Sequence, residues 1–222
     1  MVEGSGASSF QRARSSEHQA VRRAAIVEAA RRLLQEVHPL DLRMRALAKR
    51  AGISPSGLYR YFENMEAVLM HVHLCDFEDV VRLWEHALRP GMFHGDNGLN
   101  DMAAIMARSF LAEPRFLTLF SLTPSLYERE VSVEALVEHK LELLTLMQRA
   151  GAALLCTGVP IDASGTPRLF GQMLALASGL HPLANPSPSA RIALDHPALA
   201  FLALDMADEL EEGLKVLLRG SC

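Results

Sequence analysis

Residues Arg43 to Phe62 read RMRALAKRAGISPSGLYRYF, and the spacing of apolar and turn residues in this stretch decides the fold. Met44, Leu47, Ala48 and Ala51 recur at i, i+3, i+4 and i+7, the apolar stripe of a short helix. Gly52 ends it, because glycine takes the left-handed backbone of a tight turn at little steric cost. Ser54 then offers an oxygen to the free amides of a new helix, and Pro55 suits the first helical position. Leu58 and Phe62 follow at i, i+4, so this second helix is predicted to run for about two turns to Phe62. With Leu47, Ala48, Ile53, Leu58 and Phe62 packed on a preceding helix, the two form a helix-turn-helix.

The side chains left outside that core have the chemistry of a DNA-reading surface. Pro55, Ser56 and Gly57 are small enough to let the backbone enter a major groove, while Tyr59, Arg60 and Tyr61 can reach phosphates or a base edge. Helix starts such as that at Ser54 present unpaired N–H groups, which attract phosphate. Double-stranded DNA is therefore the first candidate partner.

Working outward, Ile26, Ala29, Ala30, Leu33, Leu34 and Val37 form one stripe of a preceding helix, which Pro39 stops. Asn64 caps a long helix expected over Met65–Leu88, roughly 36 Å at 1.5 Å per residue, which reads as a connecting rod. After the glycine-bearing segment 90–98, helices are expected over 99–113, 115–123, 132–155, 166 to about 182, and 197–219, with a Pro/Ser loop at 185–189. Strand alternation is not seen, so the fold class is all-α.

The 222 residues are 50% hydrophobic and 22% charged, which supports a packed core and excludes disorder over most of the length. The net charge of −4 conceals an asymmetry: through Met65 there are 11 basic and 6 acidic residues, beyond it 11 and 20. A +5 head thus sits on a −9 body, the distribution expected of a protein that meets a polyanion at one end. Residues 1–18 read as a flexible, mildly basic arm carrying Arg12 and Arg14, a solvated tail before a minor-groove contact. That arm has no secretory apolar region, and no apolar run approaches the ~20 residues of a membrane span. Cys75, Cys156 and Cys222 form no C-x-x-C pair, so a cytoplasmic protein without disulfides is expected.

RAAIVEAARRLLQEV followed by LRMRALAKRAGISPSGLYRYFENMEAVL resembles the DNA-binding domain of TetR-type (TetR/AcrR-like) transcriptional regulators. The features I-x-x-A-A, L-A, A-G-I-S, L-Y-x-Y-F and the opening of the fourth helix occur in order, over about residues 19–79. The resemblance implies a three-helix head at 19–65 and a helical ligand-binding and dimerisation body at 66–222, a homodimer built on the last two helices. It places Arg45, Pro55, Ser56 and Gly57 at base edges, and Tyr59 and Tyr61 at phosphates. Three positions depart from the family pattern. Arg43 and Met44 replace small hydroxyl residues at the second helix, so Arg43 must supply that phosphate contact or it is lost. His38 stands where glycine is usual, and Met65 where lysine is common.

The function expected is a ligand-responsive regulator, most simply a repressor, that binds a near-palindromic operator and is released by a small apolar effector. Helices 166–181 and 197–219 are the expected dimer interface. Methionine and phenylalanine line adaptable apolar pockets, so Phe110, Phe116, Phe120, Met147 and Met173 are the candidate effector contacts, although most such residues are plain core. His71 and Cys75 share a helix face at i, i+4, with Asp79 a turn on, but two ligands without a distant partner are more often core residues, and no metal is assigned. No nucleophile, P-loop or dinucleotide motif is present, so neither catalysis nor a cofactor is expected. The competing reading is a helical adaptor with a vestigial helix-turn-helix, which salt-dependent duplex binding would distinguish.

Overall fold

A computed structural model describes residues 6–93 and 95–221, with side chains placed from Glu17 onward except at residues 95 and 96. Among these residues all regular structure is helical. The head comprises α1 (Gly6–Leu33), α2 (Met44–Arg50) and α3 (Pro55–Leu58), and α4 (Met65–Ala87) leads out of it. The body adds α5 (Gly95–Ala112), α6 (Pro114–Leu122), α7 (Val133–Leu155), α8 (Thr166–Ala184), α9 (Pro188–Leu194) and α10 (Met206–Arg219). Short 3-10 turns lie at Pro39–Asp41, Tyr127–Arg129 and Pro197–Leu202.

Two cores meet on α4. Ile26, Ala30, Leu47, Leu58 and Phe62 close the head around the first turns of α4, including Val68 and Leu69. Phe77 and Trp84, further along α4, belong instead to the body core with Met102, Phe110, Phe116, Phe170, Met173 and Leu214. Trp84 meets Phe110 edge-to-face at 5.3 Å. Each such fully buried side chain contributes about 1.5–3 kcal/mol, so both ends of α4 are fixed by packing. The rod expected from the sequence is therefore shared by two units. Leu119 and Tyr127 of the body also pack into the head core.

Five boundaries differ from expectation. The arm expected over 1–18 is helical from Gly6 onward, continuous with α1, because no proline or glycine lies between Gly6 and the head core. Ile26 is the first core residue of α1, and Arg12 and Arg14 lie outside the residues whose side chains are described. The recognition helix is one turn shorter: regular α3 ends at Leu58, and hydrogen-bonded turns carry the chain to Phe62, whose N–H donates to Leu58 O at 3.2 Å. α5 begins at Gly95 rather than Leu99. The expected helix 197–219 divides into the 3-10 turn and α10, separated by an extended Ala203 and by Asp205, whose Oδ1 caps α10 by accepting from Ala207 N–H and Asp208 N–H. The Pro/Ser loop contains the start of α9, capped by Ser187. Neither α9 nor the 3-10 turn after it buries a residue, and Ile192 and Phe201 are exposed.

The seam between head and body holds one buried carboxylate. Asp76 on α4 has no exposed side-chain surface; Arg115 of α6 grips it with Nε at 2.7 Å and Nη2 at 2.6 Å. Arg31 of α1 approaches the same carboxylate at 3.0 Å and also pairs with Asp79. Burial pushes the Asp76 carboxyl above its usual range, and the two guanidinium groups oppose that. One side chain thereby joins the head helix, the rod and the body.

Candidate nucleic-acid interface

Gly52 adopts φ 68°, the left-handed value anticipated for the turn, and Ile53 N–H reaches back to Ala48 O at 3.0 Å. Ser54 caps α3 as expected, its Oγ accepting from Gly57 N–H at 3.0 Å, with Pro55 following. A Cβ on Gly57 would lie 3.1 Å from Ser54 Oγ, so glycine keeps this cap uncrowded. The outer edge of the turn is then formed by exposed Pro55 and Ser56, half-buried Gly57, and exposed Tyr59 and Arg60.

The other expected contacts are distributed unevenly. Arg45 is exposed on α2. Arg43 folds back, its Nη1 donating to Leu40 O at 2.6 Å and Leu42 O at 3.0 Å, so part of its donor set is already used inside the head. It gives α2 no side-chain cap. Tyr61 is half-buried against the head core, which restricts it more than Tyr59. Arg50, basic and nearby, is held by both oxygens of Glu36 at 2.9 and 3.0 Å. Met65, at the place of the common lysine, is buried in the head core, and His38 caps the 3-10 turn, its Nδ1 accepting from Leu40 N–H at 3.3 Å. Those two departures thus serve local packing.

The effector candidates form part of one continuous packing. Phe110, Phe116 and Met173 have no exposed surface, and Phe120 and Met147 press on the same core. Phe116 stacks on both Phe110 and Phe120 at about 6 Å. The clefts along the head–body seam and beside Asp162 are not lined by any of these five. His71 points Nδ1 at Ala67 O, 3.0 Å away, and half-buried Cys75 lies a turn on. The acidic group that does converge, Asp76, Asp79 and Glu113, has Arg31, Arg82 and Arg115 as its counter-ions.

A capped recognition turn on a three-helix head, joined through a shared rod to a separate helical body, defines a helix-turn-helix DNA-binding regulator. Residues 26–72 match the family model for bacterial regulatory proteins of the tetR family, and residues 74–222 that of the tetracyclin repressor-like C-terminal domain. The chain belongs to the TetR family of transcriptional regulators, proteins that bind DNA and small-molecule effectors and are not enzymes. Among solved structures it is similar to the TetR family transcriptional regulator PfmR from Thermus thermophilus, at 17% identity and TM-score 0.50 over 87% of this chain and 97% of that one. It is also similar to the fatty acid degradation regulator FadR from Bacillus halodurans, at 15% identity and TM-score 0.51 over 89% and 98%. At these identities the likeness is one of fold. No curated protein sequence matches. Among the described residues no helix is long and apolar enough to cross a membrane.

Proposed function

We propose that this regulator is a homodimeric repressor that binds a near-palindromic operator and is released by a small effector with a largely apolar body. The observation that carries the reading is the Ser54-capped turn, which presents Pro55, Ser56, Tyr59 and Arg60 outward from a +5 head. Base contacts are assigned to Arg45, Pro55, Ser56 and Gly57, and phosphate contacts to Tyr59, Arg60 and the Tyr61 hydroxyl. A two-fold dimer would set two such turns about 34–36 Å apart, or a multiple of that, in successive major grooves.

For the dimer, the expected segments 166–181 and 197–219 narrow to α8 and α10. Gly171, Ala175, Gly179 and Leu183 line the exposed side of α8 at every fourth position, and Val216 is exposed on α10. Small residues at that spacing allow helices to approach closely, while Leu183 and Val216 supply apolar area. For the effector, the Phe110, Phe116, Phe120, Met147 and Met173 cluster would serve only if its rings repacked to open a cavity.

The test is a salt-titrated mobility shift with the duplex flanking the regulator's own gene. Tyr59→Ala and Arg45→Ala are expected to weaken binding, Arg45→Ala by about 1–3 kcal/mol if it reads a base. Parent-like binding by both variants would discard the assigned face.

A further inference from the structure

Arg23 on α1, Phe62 after α3, Met70 and His71 on α4, and Ala135 and His139 on α7 line a cleft of about 170 Å³ between head and body. Two of the side chains that line it carry buried nitrogens without partners among the described residues. His139 is 2% exposed, yet neither ring nitrogen has a hydrogen-bond partner among the described residues. Arg23 Nε is likewise buried and unpaired. The guanidinium is nonetheless fixed in place, lying over the Phe62 ring at 5.0 Å with Nη1 3.9 Å from Glu138. A neutral imidazole carries one donor and one acceptor, and burial keeps His139 neutral, holding its pKa down at about 4. Buried donors without acceptors cost about 1–3 kcal/mol each, a cost that a ligand's oxygens would remove.

We propose that this cleft is the effector site and that the effector is a small carboxylate with an apolar body. Its oxygens are held by Arg23 Nε and the ring N–H of His139, and its body rests on Phe62, Met70 and Ala135. The inference rests on the regulator reading above. A carboxylate fits because guanidinium and carboxylate form the strongest of the ordinary side-chain hydrogen bonds. The carboxylates nearby are otherwise engaged: Glu63 accepts from Ser132 N–H at 2.8 Å, and Glu138 faces the far nitrogen of Arg23. The cleft is small, which favours a compact ligand.

Occupancy would bear directly on DNA binding. The walls come from both head and body, and the rim is tied across the seam by Glu63 to Ser132 N–H and by Asn64 Nδ2 to Glu130 O. A ligand that fits one setting of the head better than another shifts the population between DNA-binding and released states.

The experiment uses the full chain with millimolar benzoate and hexanoate as probes, and benzamide and hexylamine at equal concentration as neutral and cationic controls. Both acids are expected to raise the thermal midpoint and to weaken operator binding by about fivefold or more, whereas the controls do neither. Arg23→Gln and His139→Phe should lose the response by about tenfold in acid concentration, one lost charge-assisted bond being worth that much. Ala135→Leu, which fills the cleft without touching the polar groups, should lose it as well and serves where a polar variant fails to fold. Equal action by benzamide or hexylamine, no response to either acid, or a response that survives in all three variants would overturn the proposal. Failure of the ligand-free parent to bind any duplex would instead defeat the regulator reading, and the thermal shift would still report on the cleft.

Discussion

His73→Phe should make the protein more stable at neutral pH and less sensitive to acid. His73 sits on α4 with no exposed surface, stacked on Phe116 at 5.2 Å and 13° and on Phe120 at 5.3 Å, with the His139 ring 5.6 Å away. Neither of its nitrogens has a partner among the described residues. Burial first, then the neighbouring His139 and Lys140, push its pKa from the ordinary 6.5 down to about 3. His139 is lowered by burial, Lys140 and His71 to about 4. Above pH 6.5 both rings are neutral folded or unfolded, and the full stability is present. As pH falls below 6.5 the unfolded chain takes up two protons that the folded chain refuses, so stability drops. Each histidine accounts for about 1.4 kcal/mol per pH unit, or roughly 4 kcal/mol for the pair between pH 6.5 and 5. That is a large part of the roughly 5–15 kcal/mol typical of a folded domain. Phenylalanine keeps the stack and removes the unpaired nitrogens. The variant should gain about 1–3 kcal/mol at pH 7 and should lose about 2 kcal/mol less than the parent between pH 6.5 and 5, the share of one histidine. Urea midpoints at pH 5, 6, 7 and 8 measure both quantities, and carboxylate contributions cancel in the difference between the two curves. Parallel curves for parent and variant would refute the reasoning, because they would mean that His73 is already paired or solvated.

Ser54→Ala removes the oxygen that accepts from Gly57 N–H and should cost about 1 kcal/mol in urea unfolding, with weaker operator binding in the same preparation. Gly179→Arg places its Cβ where nothing lies within 4 Å, so the protomer should keep its thermal midpoint or gain up to about 1 kcal/mol of helix stability. Light scattering should nevertheless report 24.4 kDa in place of twice that mass. A persisting dimer would move the interface elsewhere, for which the exposed Val133, Val137, Leu141 and Leu144 stripe of α7 is available. Asp76→Ala leaves Arg115 and Arg31 facing each other across the seam and should destabilise by about 3–5 kcal/mol. Arg31→Gln, which keeps the Arg115 pair, should cost visibly less in the same denaturation assay; a loss equal to that of Asp76→Ala would mean that the Arg115 pair does not hold the seam by itself.

The head was readable because its information is local. Gly52, Ser54 and Pro55 act through backbone geometry and short-range hydrogen bonds, and the stripe from Ile26 to Leu33 is a single helix face. The same locality explains the failures. Nothing local distinguishes a rod that continues as one core from a rod shared by two, and nothing in Pro197–Leu202 marks it as separate from α10 until Asp205 is seen capping Ala207 and Asp208. The role of His139 is not visible in the sequence, because its cleft neighbours come from α1, the end of the recognition turn and α4, all distant from it in the chain.

The sequence by itself determined the class: an all-α protein with a basic, capped helix-turn-helix, since cap, turn and period are properties of short stretches. Tertiary structure alone decided what becomes of the polar side chains. It gathered Asp76, Arg31 and Arg115 into one seam, turned Arg43 back on its own head, buried Met65 in the head core, and left Arg23 Nε and the His139 ring without partners among the described residues. The physical reason is that a charge or imidazole has no preferred period of its own. Its role is set by which distant partners the packing of the apolar faces brings within hydrogen-bonding reach.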